Sequence, residues 1–220
     1  MQLGVATAAF VLTHFVPSTP LRARLAGSLG ERGYLGLYSL VALATLGWMI
    51  YAYGRAPIEP LWPGLRVVPV VIMPFAFVFI VAGLTAKNPT AVGQEILLEA
   101  EDPARGILRV TRHPLMWGIL LWAGAHVLAR ADTKSLLFFG GFLVVAGLGT
   151  RLIDARKARG VPEAWKRFAA ITSNVPFVAI AQGRNRFRPV EIGPVKVLVA
   201  LIVYGGTMLA HRWLFGVLAW

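Results

Sequence analysis

Four histidines are the residues of this chain best suited to chemistry, and two of them share the stretch Arg105–Arg130, RGILRVTRHPLMWGILLWAGAHVLAR. It begins basic, turns at Arg112-His113-Pro114, and then runs uncharged to Arg130. His113 stands at the entrance of the apolar run and His126 thirteen residues further on, about 20 Å along a helix. A histidine in lipid is costly and faces a bundle interior or a ligand. His14 sits just before Pro17 near the end of the first apolar run, and His211 near the end of the last. With no cysteine there is no disulfide, thiolate ligand or thiol nucleophile. No acidic residue lies clearly within an apolar run, which argues against a relay of paired carboxylates. Neutral imidazole is the strong metal ligand that remains, and two histidines from different helices suit a porphyrin iron. At each histidine the alternative is a hydrogen bond to a nearby backbone carbonyl. No phosphate-binding loop, dinucleotide fingerprint, zinc spacing or serine-hydrolase elbow occurs.

The elements that must position these side chains are membrane helices. Hydrophobic residues make up 57% of the 220 and charged residues 15%, against roughly 25% charged in soluble domains. The apolar runs are continuous rather than alternating, so the expectation is an all-α membrane protein and not a barrel. Charge-free intervals place a bundle of about six spans at 1–16, 34–53, 67–85, 114–130, 135–150 and 195–211, one domain over 1–220. Pro69 and Pro74 are expected as kinks in the third, and Arg212 and Trp220 lie near the far end of the sixth.

The net charge of +12 reads as cytoplasmic loops facing anionic lipid, not as nucleic-acid binding. Seventeen of the twenty-two Lys and Arg fall after spans one, three and five. The positive-inside rule therefore expects both termini outside. In the loop 151–194, the part from Arg156 to Phe168 is expected along the membrane surface with Trp165 and Phe168 dipping in. Gly140, Gly141, Gly147, Gly149, Gly205 and Gly206 are expected to mark tight helix packing.

Five ordered segments carry a resemblance: HFVPSTPLRARL at 14–25, GERGYLGLYSLVAL at 30–43, KNPTAVGQE at 87–95, GILRVTRHPLMWGILLWAGAH at 106–126 and TSNVPF at 172–177. With RAP at 55–57 they are spread along the chain from 14 to 177, and the chain resembles the NnrU family of bacterial membrane proteins, named from denitrification gene clusters. The same domain is similar to plant zeta-carotene isomerase, a membrane enzyme that uses haem b for a cis–trans isomerisation. The resemblance implies an inner-membrane protein, haem b held by His14 and His126, and Arg112 and His113 as supporting groups to a propionate or substrate. It implies a pocket between spans one and four for an apolar substrate arriving from the lipid bilayer, or a role in nitrogen-oxide metabolism. Ala123 stands where the plant enzyme has a cysteine near its second histidine.

The segment Arg112-His113-Pro114 with Gly118 also resembles isoprenylcysteine and phospholipid methyltransferases. That resemblance implies S-adenosylmethionine, with Arg112 and His113 on its carboxylate and Gly118 admitting it. The pair of glutamates such enzymes carry in the following loop is missing, since the nearest acids are Asp154 and Glu163. A non-catalytic assembly or sensor protein is the third class.

Overall fold

The computed structural model describes residues 1–218, and Trp220 lies outside them. The described residues are helical, in the order α1 Gln2–Phe15, α2 Pro20–Arg55, α3 Val67–Thr85, α4 Pro114–Arg130, α5 Thr133–Gly160, α6 Pro162–Ile171, α7 Val178–Ala181, α8 Pro189–Ile192 and α9 Pro194–Phe215. Four of them (α2, α3, α5 and α9) are long and apolar enough to cross a membrane. α1 and α4, with 14 and 17 residues, are shorter and stand packed between the long ones.

Prolines open the helices because a missing N–H costs nothing in a first turn: Pro20 starts α2, Pro114 starts α4 and Pro194 starts α9. α2 therefore begins well before the expected 34, and it breaks at Gly30, whose φ of 73° belongs to the left-handed region open to glycine. α3 runs unbroken through Pro74. α5 continues ten residues past the expected 150, so Asp154 and Lys157 ride on a helix and not in a loop.

Contacts set the helices side by side in the order α2, α1, α5, α4, α3, α9. α5 thus stands between α1 and α4, which corrects a pocket directly between the first and fourth helices. Its first turn is fixed by Asp132, whose carboxylate accepts from the Ser135 amide at 2.8 Å. The loop between α2 and α3 closes over the α4–α5 turn: Leu61 donates its amide to Ala131 O at 2.8 Å and Thr133 donates to Glu59 O at 2.9 Å. Those bonds hold Ala131 at a φ of 53°, a conformation costly for an L-residue.

The loops after α1, α3 and α5 meet at the other end of the bundle, the basic end. Here α6 lies against the protein. Trp165 and Phe168 are 6% and 0% exposed and pack on Leu98 and Ala104. The expectation that they enter the membrane is corrected by the partner surface that the 3-10 turn Glu95–Glu99 offers them, worth about 1.5–3 kcal/mol per large side chain.

The glycines divide as well. A Cβ on Gly141 would meet Thr7 Cγ2 at 2.7 Å, whereas around Gly140, Gly149, Gly205 and Gly206 there is open space and Gly147 has only ordinary contact. Of the glycines expected to pack tightly, Gly141 alone does so.

Candidate functional site

Two side-chain clusters can carry chemistry, one inside the apolar bundle and one at its basic end. The inner cluster is a layer of rings built by α5. Phe142 has Phe10 of α1 and Trp122 of α4 on either side, each ring centre 5.0 Å away. Phe139 touches Trp122 at 5.1 Å, and Phe138 continues the layer to Tyr53 of α2 at 4.7 Å. The helical period does this, because residues three and four apart share a face.

The two candidate haem ligands flank this layer. His14 lies one turn beyond Phe10 with ring centres 4.3 Å apart, and its Nδ1 is bonded to Phe10 O at 2.8 Å. His126 lies one turn beyond Trp122, 5.6 Å from it and 5.0 Å from Phe139, with Nδ1 bonded to Trp122 O at 2.8 Å. Both imidazoles therefore make the local carbonyl bond that was the alternative to ligation. If Nδ1 donates in each, Nε2 is left as the acceptor.

α1 and α5 run the same way and α4 runs against them, so the two turns lead in opposite directions. His14 lies toward the basic end and His126 away from it, offset along the helix axes by about two turns, roughly 11 Å, and on opposite sides of α5. Trans ligands on one iron need nitrogens about 4 Å apart, twice a bond of ~2 Å. Phe10, Phe142 and Trp122 fill the space between, so this pair does not fit one haem iron in this arrangement. Among the described residues no three His, Asp or Glu side chains cluster as metal ligands. His211 is bonded to Val217 O at 2.9 Å at the end of α9.

The second cluster centres on Asp154. His113 Nε2 lies 2.6 Å from Asp154 Oδ1, and Arg112 grips the same carboxylate through Nε at 3.0 Å and Nη2 at 2.7 Å. Such planar, paired contacts are the stronger kind of charge-assisted bond. Asn174 Nδ2 reaches Oδ2 at 3.4 Å, and the Arg112 guanidinium lies over the Trp165 ring at 5.5 Å. The backbone closes the unit. Arg112 donates its amide to Ser173 O at 3.0 Å, while Asn88 and Thr90 both donate to Arg112 O at 3.2 Å. Trp117 Nε1 and the Thr111 hydroxyl share Asn174 O. Three segments distant in sequence are thereby locked onto one carboxylate.

Burial fixes the electrostatics. The His113 side chain is 1% exposed; burial holds its pKa below the usual imidazole value, against the pull of Asp154, and the Arg112 charge adds to the lowering. Arg112 and His113 are both turned onto Asp154, so neither is free to receive a propionate or a cofactor carboxylate. Gly118 does not admit a cofactor either: a Cβ there would meet Ile80 Cγ1 at 2.6 Å and Ala76 O at 3.0 Å, because α3 fills the space. The features expected to hold S-adenosylmethionine are packing and ion-pair features here.

Two further buried cations staple the same end. Lys157, 4% exposed in its side chain, pairs with Glu95 at 2.6 Å. Arg109 donates through Nε to Glu191 at 2.7 Å and also binds Asp102 and Asn185. With the Gly106 amide and Arg188 also donating, the Glu191 carboxyl is held down at about 2, chiefly by Arg109. Glu191, Glu95 and Asn174 escaped the reading of the sequence as site residues, and Asp154 entered it only as one of the two acids nearest the missing glutamate pair. For the three acids the one signal there is that ten acidic residues among twenty-two cations are too few to be spent at random.

Comparison with known proteins gives a family and a weaker, partial likeness. A family model described as NnrU protein matches residues 2–219. Over 80 residues, 36% of this chain, the sequence is 35% identical to 15-cis-zeta-carotene isomerase, chloroplastic, of Arabidopsis thaliana. Over 81 residues it is 33% identical to the protein of the same name in Zea mays. Each match spans 22% of the relative's length, about a fifth. No solved structure matches the chain.

Proposed function

Since the chain belongs to the NnrU family, we propose that it is a membrane-embedded isomerase acting on an apolar, lipid-soluble polyene that comes from the bilayer to the ring layer of α1, α4 and α5. The observation that carries this reading is the layer itself: Phe10, Trp122, Phe139 and Phe142 packed tilted and edge-on against one another along α5, with an imidazole at each end. The partial identity to two enzymes named as 15-cis-zeta-carotene isomerases supports the substrate class. Rotation about a conjugated double bond requires its π electrons to spread along the chain. Flat ring faces beside the polyene would bind it, exclude water and stabilise positive charge developing there. No step is routed through haem, because His14 and His126 do not meet. The Asp154 cluster serves as the clamp that holds α4 and α5 in register at the basic end. That end faces the cytoplasm of a bacterial inner membrane in this reading, with both termini outside.

The test is expression in a bacterial host that accumulates a 15-cis polyene, with isomers separated by chromatography. The wild-type chain is expected to raise the all-trans fraction, and Trp122→Ala combined with Phe142→Ala to cut that gain at least about tenfold. An isomer ratio identical with and without the protein would sink the reading.

A further inference from the structure

Between α7 and α8 the chain reads Gly183-Arg184-Asn185-Arg186-Phe187-Arg188. A cavity of about 280 Å³ opens there, lined by Arg109, Arg184, Arg186, Arg188 and Asn185 over Ile171. Its charges do not cancel. Arg109 and Arg188 are matched by Asp102 and Glu191. Arg184 binds only neutral acceptors, the Gln182 side chain at 2.8 Å and the carbonyls of Ala170 and Thr172 at 2.6 and 2.9 Å. Arg186 has no acidic partner among the described residues. Two guanidinium charges are left facing the cavity, and guanidinium is the group best shaped for the oxygens of a phosphate.

A second feature adjoins the first. Phe177 and Phe187 touch edge to face at 5.8 Å, and each is about half exposed, at 49% and 48%. Phe177 is held at a φ of 66° by its amide's bond to Val110 O at 2.9 Å. Val190 and Val195, 81% and 70% exposed, extend this apolar surface into the lipid-facing helix α9. Exposed rings beside unmatched arginines are the pattern of a surface seated in the headgroup layer, the rings below and the cations at phosphate depth.

We propose that this cavity binds the phosphate of an anionic phospholipid headgroup, with Phe177 and Phe187 seated among its upper acyl chains. The cavity opens to the surface, so a phosphodiester enters it while the acyl chains lie across the two rings. Net charge selects the lipid: a zwitterionic headgroup brings its own cation to an already positive site, and an anionic one does not. The site is independent of the isomerase reading and requires only that this end of the bundle lie in a membrane.

The experiment uses the full-length protein in micelles holding equal amounts of phosphatidylglycerol and phosphatidylcholine, with retained lipid counted by mass spectrometry after detergent exchange. Wild type is expected to retain phosphatidylglycerol preferentially, and Arg186→Gln to lower that retention about fivefold. Phe187→Ser is expected to lower retention of both lipids. Arg24→Gln, also exposed at the basic end but on α2 and not lining the cavity, is expected to change nothing. The Arg186 side chain holds no other part of the fold, so melting of Arg186→Gln should match wild type, and a parallel loss of stability would overturn the assignment. It is also overturned by equal retention of the two lipids, by a loss in Arg24→Gln as large as in Arg186→Gln, or by full displacement of lipid by an equal concentration of inorganic phosphate. Unchanged retention by Phe187→Ser would remove the rings from the site.

Discussion

Asp154 is the most heavily used side chain among the described residues. It neutralises Arg112, orients His113, and is reached by Asn174, all with 18% of its own side chain exposed. Replacing it by Asn keeps the shape and removes the charge, leaving a guanidinium at 14% exposure without its counter-ion. Removing one partner of a buried pair costs about 3–5 kcal/mol, somewhat less where water still reaches. Asp154→Asn is therefore expected to lose about 2–4 kcal/mol in thermal unfolding, while Glu99→Gln, whose pair with Arg167 is exposed on both sides, should lose under about 1 kcal/mol. Equal losses would show that the buried pair is not special. His113 adds a pH dependence. Burial lowers its pKa from the ordinary 6.5 in the folded chain. The unfolded chain therefore binds a proton below pH 6.5 that the folded chain refuses. Stability from neutral His113 is complete above that pH and is lost as pH falls through the lowered value. The melting temperature of wild type should fall more steeply than that of His113→Gln between about pH 7 and pH 5; parallel curves would remove His113 as the cause. Arg112 and His113 stand out in the sequence because they interrupt an apolar pattern. Asp154 does not, since pairing across forty-two positions leaves no local trace in the sequence.

The helices themselves are legible for a simple reason: lipid tolerates no charge, so α3 and α4 begin and end where charge or proline appears. What charge cannot reveal is how closely two apolar helices approach. α3 and α4 meet at Gly83 and Gly118, where a Cβ would lie 2.6 Å from the Leu115 backbone nitrogen and 2.6 Å from Ile80 Cγ1 respectively. Backbone cannot move aside for a side chain as a flexible tip can. Gly118→Ala is expected to separate the pair and cost about 1–3 kcal/mol as an overpacked contact. Gly149→Ala, with open space around it, should be neutral or stabilise slightly, since alanine favours helix by up to about 1 kcal/mol. Thermal unfolding of the two variants side by side decides the matter, and a Gly118→Ala protein as stable as wild type would mean the helices are not in close contact. The same invisibility hid α6. Its apolar face is evident in the sequence, but whether it meets lipid or the turn at Glu95–Glu99 depends on a partner sixty residues away.

At the scale of the whole molecule, the alternating helices collect the ion pairs of Arg109, Arg112 and Lys157 at one end. The opposite end is closed by backbone bonds between the loop after α2 and the α4–α5 turn. The asymmetry has an energetic consequence for insertion. A cluster of cations resists transfer across a bilayer, so the end that carries it is expected to stay where translation began. The absence of cysteine makes this directly measurable, because any introduced thiol is the single reporter. Lys134→Cys, at the start of α5, should react in intact cells with a maleimide that cannot cross the inner membrane. Lys166→Cys, on the exposed side of α6, should react only after the membrane is opened. The reverse pattern would place the basic end outside and remove the cytoplasmic setting of the proposed lipid site. Labelling of both in intact cells would mean that α5 does not cross the membrane at all, and the ring layer would then have no bilayer from which to draw an apolar substrate.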